Sequence, residues 1–228
     1  MENESSHQWR ISRFTLEAVT LGAVAIVTFA GCASLPWIEQ ERTSIITPRM
    51  RIAAIQEIAA RARDADADQQ QLTEQLATQI QTEPDPLVRQ AIQESISHFS
   101  TLLARDVLIA GLQDDDLEVR LTSCRGLSKR HHPSVISALR NTLENDADLD
   151  AKLAAIDALG QIKSPQSVAA LSKAVNDRDP ALQYAGVQAL KSVSGQDLGN
   201  DVVAWRQYAA SERPEISVAE RPSSWSPF

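Results

Sequence analysis

Two runs of alternating aspartates are the residues of this sequence that could most directly bind a metal ion. They comprise Asp64, Asp66 and Asp68, and Asp146, Asp148 and Asp150. Carboxylates separated by one residue can surround Ca²⁺ when a glycine at the sixth loop position turns the chain and a glutamate at the twelfth completes the shell. The second run has Ala151 and Asp157 at those positions, and glutamines follow the first run. We therefore interpret both runs as turn and helix-capping acids, and we expect no metal site.

Histidine and cysteine side chains are the next candidates for chemistry. His131 and His132 stand together in KRHHPSV, but adjacent side chains point in different directions and no other ligand accompanies them at metal-site spacing. We expect a solvated turn there. Cys124 occupies a position where repeated segments of the chain have isoleucine or valine, so we expect a small buried apolar residue rather than a reactive thiol. The sequence thus offers no catalytic, cofactor-binding or metal-ligating residue.

The second cysteine, Cys32, has a different context. Residues 18–30 form an uncharged, largely apolar run that follows two arginines and ends in FAGC. The run is too short to span a hydrocarbon core as a helix, and its layout is typical of the apolar region of a secretory signal. The small residues Ala30 and Gly31 before Cys32 resemble a bacterial lipobox. The resemblance implies cleavage before Cys32 and attachment of diacylglycerol to its sulfur.

A lipidated Cys32 would hold the protein at a membrane. One acyl chain gives only marginal binding at about 0.8 kcal/mol per buried methylene, whereas the two or three chains of a lipoprotein bind firmly. We predict a lipoprotein signal peptide over residues 1–31 and a lipidated cysteine with its tether over residues 32–46. The expected location is the bacterial cell envelope, the outer membrane rather than the inner, because Ala33 is not aspartate. An ordinary signal peptide cut elsewhere and an uncleaved anchor are the alternatives.

Composition indicates an all-α protein. The 228 residues are 43% hydrophobic but only 4% aromatic. The apolar content is mostly Ala, Leu, Ile and Val, which suits close helix packing better than strands, where aromatic and β-branched residues are favoured. The formal net charge of −8 repels phosphate backbones. We therefore expect no nucleic-acid partner.

A segment with the same pattern occurs five times, and each copy begins with a residue that can cap a helix. These anchors are Thr47, Asp85, Asp116, Asp148 and Asp179, at intervals of 38, 31, 32 and 31 residues. An Asp or Thr side chain can accept hydrogen bonds from the free amides of a first helical turn, and proline follows three of the anchors. Residues three, eight and eleven positions after each anchor are mostly apolar and lie on one helical face. Each copy therefore begins with an amphipathic helix.

A second helix follows the first in each copy. It is indicated by apolar residues at helical spacing, namely Val135, Ile136, Leu139 and Leu143 in one copy and Val168, Leu171 and Val175 in the next. A hairpin of two such helices cannot hide its apolar face alone, whereas stacked hairpins share one continuous core. We predict an α-solenoid of about five hairpins over residues 47–208. A terminal helix around Trp205 closes it, and a disordered tail over residues 209–228 follows.

The pattern D-x-x-V-R with an A-x-x-A-L core, as in DPLVR, DLEVR and AIDAL, resembles the short HEAT repeats of the phycobilisome-lyase type. The resemblance implies a ladder in which a basic residue four positions after each anchor pairs with a neighbouring acid. That position holds Arg51, Arg89, Arg120 and Lys152, and Gln183 breaks the series. We expect exposed pairs that contribute about 0–1 kcal/mol each. The substitution Arg120→Gln should therefore matter far less than Leu159→Asp, which disrupts apolar stacking.

The expected function is a membrane-tethered protein–protein interaction scaffold or adaptor without enzymatic activity, because solenoids offer a regular face to a protein or peptide. We expect that face on the second helices, where Ile109, Arg140 and Ser172 occupy equivalent positions. One alternative, implied by the resemblance, is an enzyme or enzyme accessory related to HEAT-like bilin lyases. HEAT-like hydroxylases use His-Glu pairs, and the sequence contains no His-Glu dipeptide. A structural envelope component is a further alternative.

Overall fold

A computed structural model describes residues 46–64 and 69–211. These residues form ten helices and no strand, which confirms the all-α prediction. The helices are α1 (Pro48–Asp64), α2 (Gln69–Ile80), α3 (Pro86–Ser97), α4 (Leu102–Gly111), α5 (Leu117–Leu127), α6 (Pro133–Asn145), α7 (Leu149–Gln161), α8 (Pro165–Val175), α9 (Pro180–Ser194) and α10 (Val202–Ala210).

The helices pair into five stacked hairpins. In four of the five hairpins the first helix (α1, α3, α7 or α9) packs against the second helix of the same hairpin (α2, α4, α8 or α10), whereas α6 packs mainly against α7 and α8 of the next hairpin. Successive first helices pack on one another, and the second helices form the other layer. Trp205 of α10 is fully buried, so α10 completes the last hairpin as the predicted terminal helix. All described residues belong to one compact unit, and the α-solenoid prediction is confirmed.

The predicted anchors cap the first helices in four of the five copies. The side chains of Thr47, Asp85, Asp116 and Asp179 accept hydrogen bonds from first-turn amides. Asp148 is the exception, because its carboxylate makes no capping hydrogen bond to α7 and instead accepts one from Arg120. A hydrogen bond from a charged guanidinium is stronger than one from a neutral backbone amide. The carboxylate of Asp148 therefore binds Arg120 instead of the first-turn amides of α7.

The predicted apolar positions form the shared core. Val88, Val119, Ala151 and Leu182 occupy the third position after the anchor, and Ile96, Leu127, Leu159 and Leu190 the eleventh; none is more than 2% exposed. Burial of a side chain such as Leu159 contributes about 1.5–3 kcal/mol. Met50, at the third position of α1, departs from the pattern and is 53% exposed.

Close approach of neighbouring first helices requires a small residue at Gly160. A Cβ atom added there would lie 2.9 Å from the Cβ of Ala189 and 3.0 Å from its Cα. Carbon atoms do not approach so closely without displacement, so this glycine brings α7 and α9 together. The first helices thereby form a tightly packed layer whose outer side chains lie next to one another.

Candidate functional site

Basic residues four positions after the anchor hold the loops at one edge of the array. Arg51 Nη2 lies 3.0 Å from Glu83 Oε1. Arg89 holds Asp114 with two hydrogen bonds, from Nε to Oδ2 at 2.9 Å and from Nη2 to Oδ1 at 2.7 Å. The bond to Asp114 raises the pKa of Arg89. Burial alone would raise the pKa of Asp114, but the bond from Arg89, the backbone amide of Asp116 and the charges of Arg89 and Arg120 together bring it below its usual value. These contacts are the predicted ladder.

Arg120 is buried, contrary to the expectation that the ladder pairs are exposed. Its side chain is 10% exposed and that of Asp146 is 8% exposed, with Nε and Oδ2 3.0 Å apart. Nη2 also donates to Asp148, and Nη1 donates to the carbonyls of Asp114 and Asp115. Burial would lower the pKa of Arg120, but the hydrogen bonds and negative charges of Asp146 and Asp148 together outweigh it and the pKa is raised. The premise that made Arg120→Gln harmless is therefore wrong, because two loops converge on this guanidinium.

The last two copies do not continue the ion pairs. Lys152 forms no ion pair with any described residue. Gln183 donates from Nε2 to the carbonyl of Asp177 at 2.7 Å. Arg89 and Arg120 also bind the backbone carbonyl six positions back, so Gln183 keeps that contact without the charge. The copies that contain Arg89, Arg120 and Gln183 therefore share a hydrogen bond from this position to the preceding loop. Arg89 and Arg120 also bind an acidic side chain.

Of the residues considered for metal binding, Asp146, Asp148 and His132 have other contacts, whereas Asp66, Asp68 and the side chain of Asp64 lie outside the described residues. Asp146 and Asp148 bind Arg120, while Asp150 is exposed on α7. His132 caps α6, and its Nδ1 accepts a hydrogen bond from the amide of Ser134 at 3.2 Å. Within residues 46–64 and 69–211, no three acids, histidines or cysteines are arranged to hold a metal ion. Asp146, Asp148 and His132 therefore have structural contacts within the fold.

Cys124 is fully buried in α5, as predicted. Burial raises the pKa of its thiol to about 12, and the negative charge of Asp146 adds to the effect. A thiol needs to ionise to act as a nucleophile, so this side chain functions as an apolar core residue at neutral pH.

Arg130 is a structural residue that the sequence reasoning missed, because its segment was interpreted as a solvated turn. It is half-buried, and its Nη2 donates to the carbonyls of Ile96 and Phe99 at the end of α3. Burial lowers its pKa. Three other copies have an apolar residue at the equivalent position, and all three are buried, namely Phe99, Ile162 and Val193. Comparison of the copies could therefore have indicated that position 130 is buried.

The outer side of four successive first helices forms one continuous surface, which we call the first-helix face. Its side chains recur two, five, nine and thirteen positions after each anchor, and all are half-buried or exposed. They are Leu87, Gln90, Glu94 and His98 of α3; Glu118, Leu121, Arg125 and Lys129 of α5 and the residues after it; Asp150, Leu153, Asp157 and Gln161 of α7; and Ala181, Tyr184, Gln188 and Ser192 of α9.

Three adjoining recesses open on the first-helix face. The first, of about 440 Å³, lies across α3, α5 and α7. The second, of about 400 Å³, lies between α5 and α7, and the third, of about 220 Å³, between α7 and α9. Asp157 lines all three recesses, and Arg125 lines the first two. The recesses therefore lie next to one another around α7, and we call the three together the groove.

The first-helix face combines an apolar row with carboxylates that form no ion pair with a described residue. Leu121 and Leu153 are half-buried, and Tyr184, at the same position of the next copy, is 62% exposed. The acids of the first-helix face are Glu94, Glu118, Asp150 and Asp157, and its basic residues are Arg125 and Lys129. None of these six forms an ion pair with a described residue. Their charges are therefore free to meet a partner.

The second helices differ from the surface expected of them. Ile109 packs against the core, Ser172 is half-buried and Arg140 is exposed. These three equivalent positions therefore do not form one exposed row. The groove lies on the layer formed by the first helices. The first-helix face is therefore a better candidate for binding than the surface of the second helices.

The prediction for the amino-terminal region lies outside the described residues. This holds for the signal peptide, for Cys32 and for the tether as far as residue 45, and equally for residues 212–228 of the predicted tail. Helix α10 ends at Ala210. None of the described helices has the length and apolar character needed to cross a bilayer.

Comparison with known proteins concerns the repeat and the fold. The HEAT repeats family matches residues 73–156 and 136–205. Among solved structures, human deoxyhypusine hydroxylase in complex with glycerol is similar, with a TM-score of 0.50 and 20% sequence identity over 54% of this chain and 44% of that chain. The chain thus spans less than half of that enzyme, and at this identity the likeness concerns the fold alone. No curated protein matches the chain.

Proposed function

The chain belongs to the family of proteins built from HEAT repeats, and from this premise we propose that it is a scaffold that binds another protein along its first-helix face. The observation that carries the proposal is the groove, whose three neighbouring recesses are all lined by Asp157. Stacked repeats position such a surface rigidly, because each hairpin is held by its neighbours.

The extent of the groove favours an elongated protein segment over a compact ligand. It crosses four first helices, and helices packed side by side lie about 8–10 Å apart, so the groove extends over about 25–30 Å. A partner helix or peptide can follow such a length and contact each repeat in turn.

Tethering at the bacterial cell envelope through a lipid on Cys32 is the second part of the proposal. Its support is the sequence FAGC after an apolar run. Residues 33–46 would link the lipid to α1 and reach at most about 50 Å when fully extended. The groove would then act on partners close to the membrane surface. We propose the outer membrane rather than the inner, because Ala33 follows the cysteine.

An enzyme or enzyme accessory related to HEAT-like bilin lyases is the alternative. Its support is the shared repeat, together with a solved structural neighbour that is named a hydroxylase. Purified protein that carries a visible chromophore or a stoichiometric metal ion would favour this alternative over the scaffold.

Site-specific photocrosslinking tests the scaffold. A photoreactive amino acid replaces Tyr184 on the first-helix face or, as a matched control, Leu102 on α4, which is 71% exposed. Both sites are open to solvent, so neither change should disturb the core. We expect discrete crosslinked species from position 184 in whole cells and none from position 102. Equal crosslinking from both positions, or none from position 184, would contradict the proposal.

Cell fractionation of a Cys32→Ser variant tests the tether separately. Since the acyl chains would be attached to the cysteine sulfur, we expect the variant to lose incorporation of labelled palmitate and to keep the uncleaved signal peptide, which increases its mass. A variant that still incorporates palmitate, or a wild type that incorporates none, would contradict lipid anchoring without affecting the crosslinking result.

A further inference from the structure

An apolar row runs across the first-helix face from one first helix to the next. Leu121, Leu153 and Tyr184 are equivalent residues, each five positions after its anchor, on adjacent first helices. Tyr184 is 62% exposed and the two leucines are partly exposed. An apolar row of this kind gains free energy when a partner covers it.

Carboxylates line both sides of this row. Glu118 and Asp150 lie three positions before its leucines, and Asp157 lies four positions after Leu153, so one helical turn separates each acid from the row. The three acids line a single recess between α5 and α7, together with Arg125 as the one basic residue of that recess. The recess is therefore net acidic, in agreement with the formal charge of −8 for the whole chain.

Building on the proposed scaffold function, we infer that the partner of the first-helix face is a cationic amphipathic helix. Its apolar side chains lie on Leu121, Leu153 and Tyr184, and its lysines or arginines meet Glu118, Asp150 and Asp157. Charge complementarity selects this partner over an acidic one, because like charges facing each other across an interface are repelled.

The spacing of the row matches a helix. Neighbouring first helices lie about 8–10 Å apart. Seven residues of a partner α-helix advance about 10.5 Å and return to the same face, so one residue in every seven meets each first helix. Three contacts therefore require about 15 residues of helix.

Two other peptide conformations are disfavoured, the first by its spacing and the second by the chemistry of the row. In an extended strand, residues on one face are about 6.6 Å apart, which does not match the separation of about 8–10 Å between neighbouring first helices. A polyproline helix repeats every three residues at about 9.3 Å, but the grooves that bind it are lined by aromatic side chains. Tyr184 is the only phenylalanine, tyrosine or tryptophan among the sixteen residues of the first-helix face.

Peptide titration against the purified full-length protein tests the inference. The probe is a labelled synthetic peptide of about 20 residues with leucines repeated every three and four positions and lysines elsewhere. One control peptide has glutamates in place of the lysines, and another keeps the composition but contains prolines that prevent a helix. Fluorescence anisotropy gives the dissociation constants at low and physiological salt.

Four protein variants locate the binding site. Asp157→Lys and Tyr184→Asp change the first-helix face, whereas Asp115→Lys and Leu102→Asp change an exposed acid and an exposed apolar residue elsewhere. We expect each first-helix-face variant to weaken lysine-peptide binding about tenfold or more, and each control variant to change it less than about threefold. Salt should weaken binding to the wild type more than binding to Asp157→Lys.

Two results would overturn the inference. The first is binding of the glutamate or proline peptide as tight as that of the lysine peptide. The second is a loss for Asp157→Lys no larger than that for Asp115→Lys. If either occurs while position 184 still crosslinks to a protein in cells, the scaffold stands and only the chemistry of its partner is wrong.

Discussion

Replacing Arg120 with glutamine tests whether a buried guanidinium holds the loops of the central repeats. In the native protein Arg120 joins three features: the loop before α5, the end of α6 through Asp146, and the start of α7 through Asp148. Glutamine keeps part of the length and one amide donor, but it cannot reach all of these acceptors. The change therefore leaves the carboxylate of Asp146, 8% exposed, without its charged partner.

The expected loss lies between two limits. An exposed ion pair contributes about 0–1 kcal/mol, and breaking a fully buried pair costs about 3–5 kcal/mol, because the remaining charge is left without compensation. Asp146 is close to the buried limit, whereas Asp148 is 52% exposed and water can replace its contact. We therefore expect Arg120→Gln to lower the free energy of unfolding by about 2–4 kcal/mol.

Urea unfolding followed by far-ultraviolet circular dichroism measures this loss. Lys152→Gln is the matched control, because Lys152 occupies the same position in the next copy and has no ion pair with a described residue. We expect the control to change stability by less than about 0.5 kcal/mol. If both variants lose the same amount, the burial of Arg120 has no energetic consequence and the argument fails.

Three further outcomes follow from the described contacts. Native Cys124 should react with iodoacetamide at neutral pH at least about a hundredfold more slowly than the urea-unfolded chain, because burial raises its pKa to about 12; equal rates would contradict its burial. The pKa of Asp114 is lowered in the folded protein, so its pairing with Arg89 stabilises the fold above the unfolded pKa of about 4, and this contribution is lost as the pH falls through the lower folded value. The difference in unfolding free energy between the wild type and Asp114→Asn should therefore shrink on acidification, and a constant difference would refute the assignment. Gly111→Ala should cost about 1–3 kcal/mol, since the added Cβ would lie 2.2 Å from Gln93 Nε2; a second change, Gln93→Ala, should recover part of that loss.

The fold was predictable because the same pattern of capping and apolar residues occurs in five copies of the repeat. An anchor acid or threonine and apolar residues at fixed intervals are local signals, and five copies make the period unambiguous. The burial of Cys124 followed from the same comparison, because other copies have Ile156 or Val187 at its position. These predictions needed only the chain's own periodicity.

The loop contacts were less predictable, because they depend on distances between hairpins. The repeat pattern indicated a basic residue at position 120 but not that two loops would enclose it. Burial depends on the path of both loops, and Asp148 changed from a capping residue to an arginine ligand for the same reason. Arg130 was missed because its carbonyl partners lie more than thirty residues earlier in the chain.

The candidate site was the hardest part to predict. The periodicity identifies residues that the repeats have in common, whereas the site consists of residues that differ between the repeats. The anchor position is used for capping or arginine binding, the third, eighth and eleventh positions for the core, and the fourth for the loops. The second, fifth and ninth positions have no such duty, and their residues differ in charge and size from copy to copy. In the central copies they are Glu118, Leu121 and Arg125, and Asp150, Leu153 and Asp157. On the proposed scaffold function, a partner that lies across several first helices would contact these positions, and its specificity would depend on the residues there.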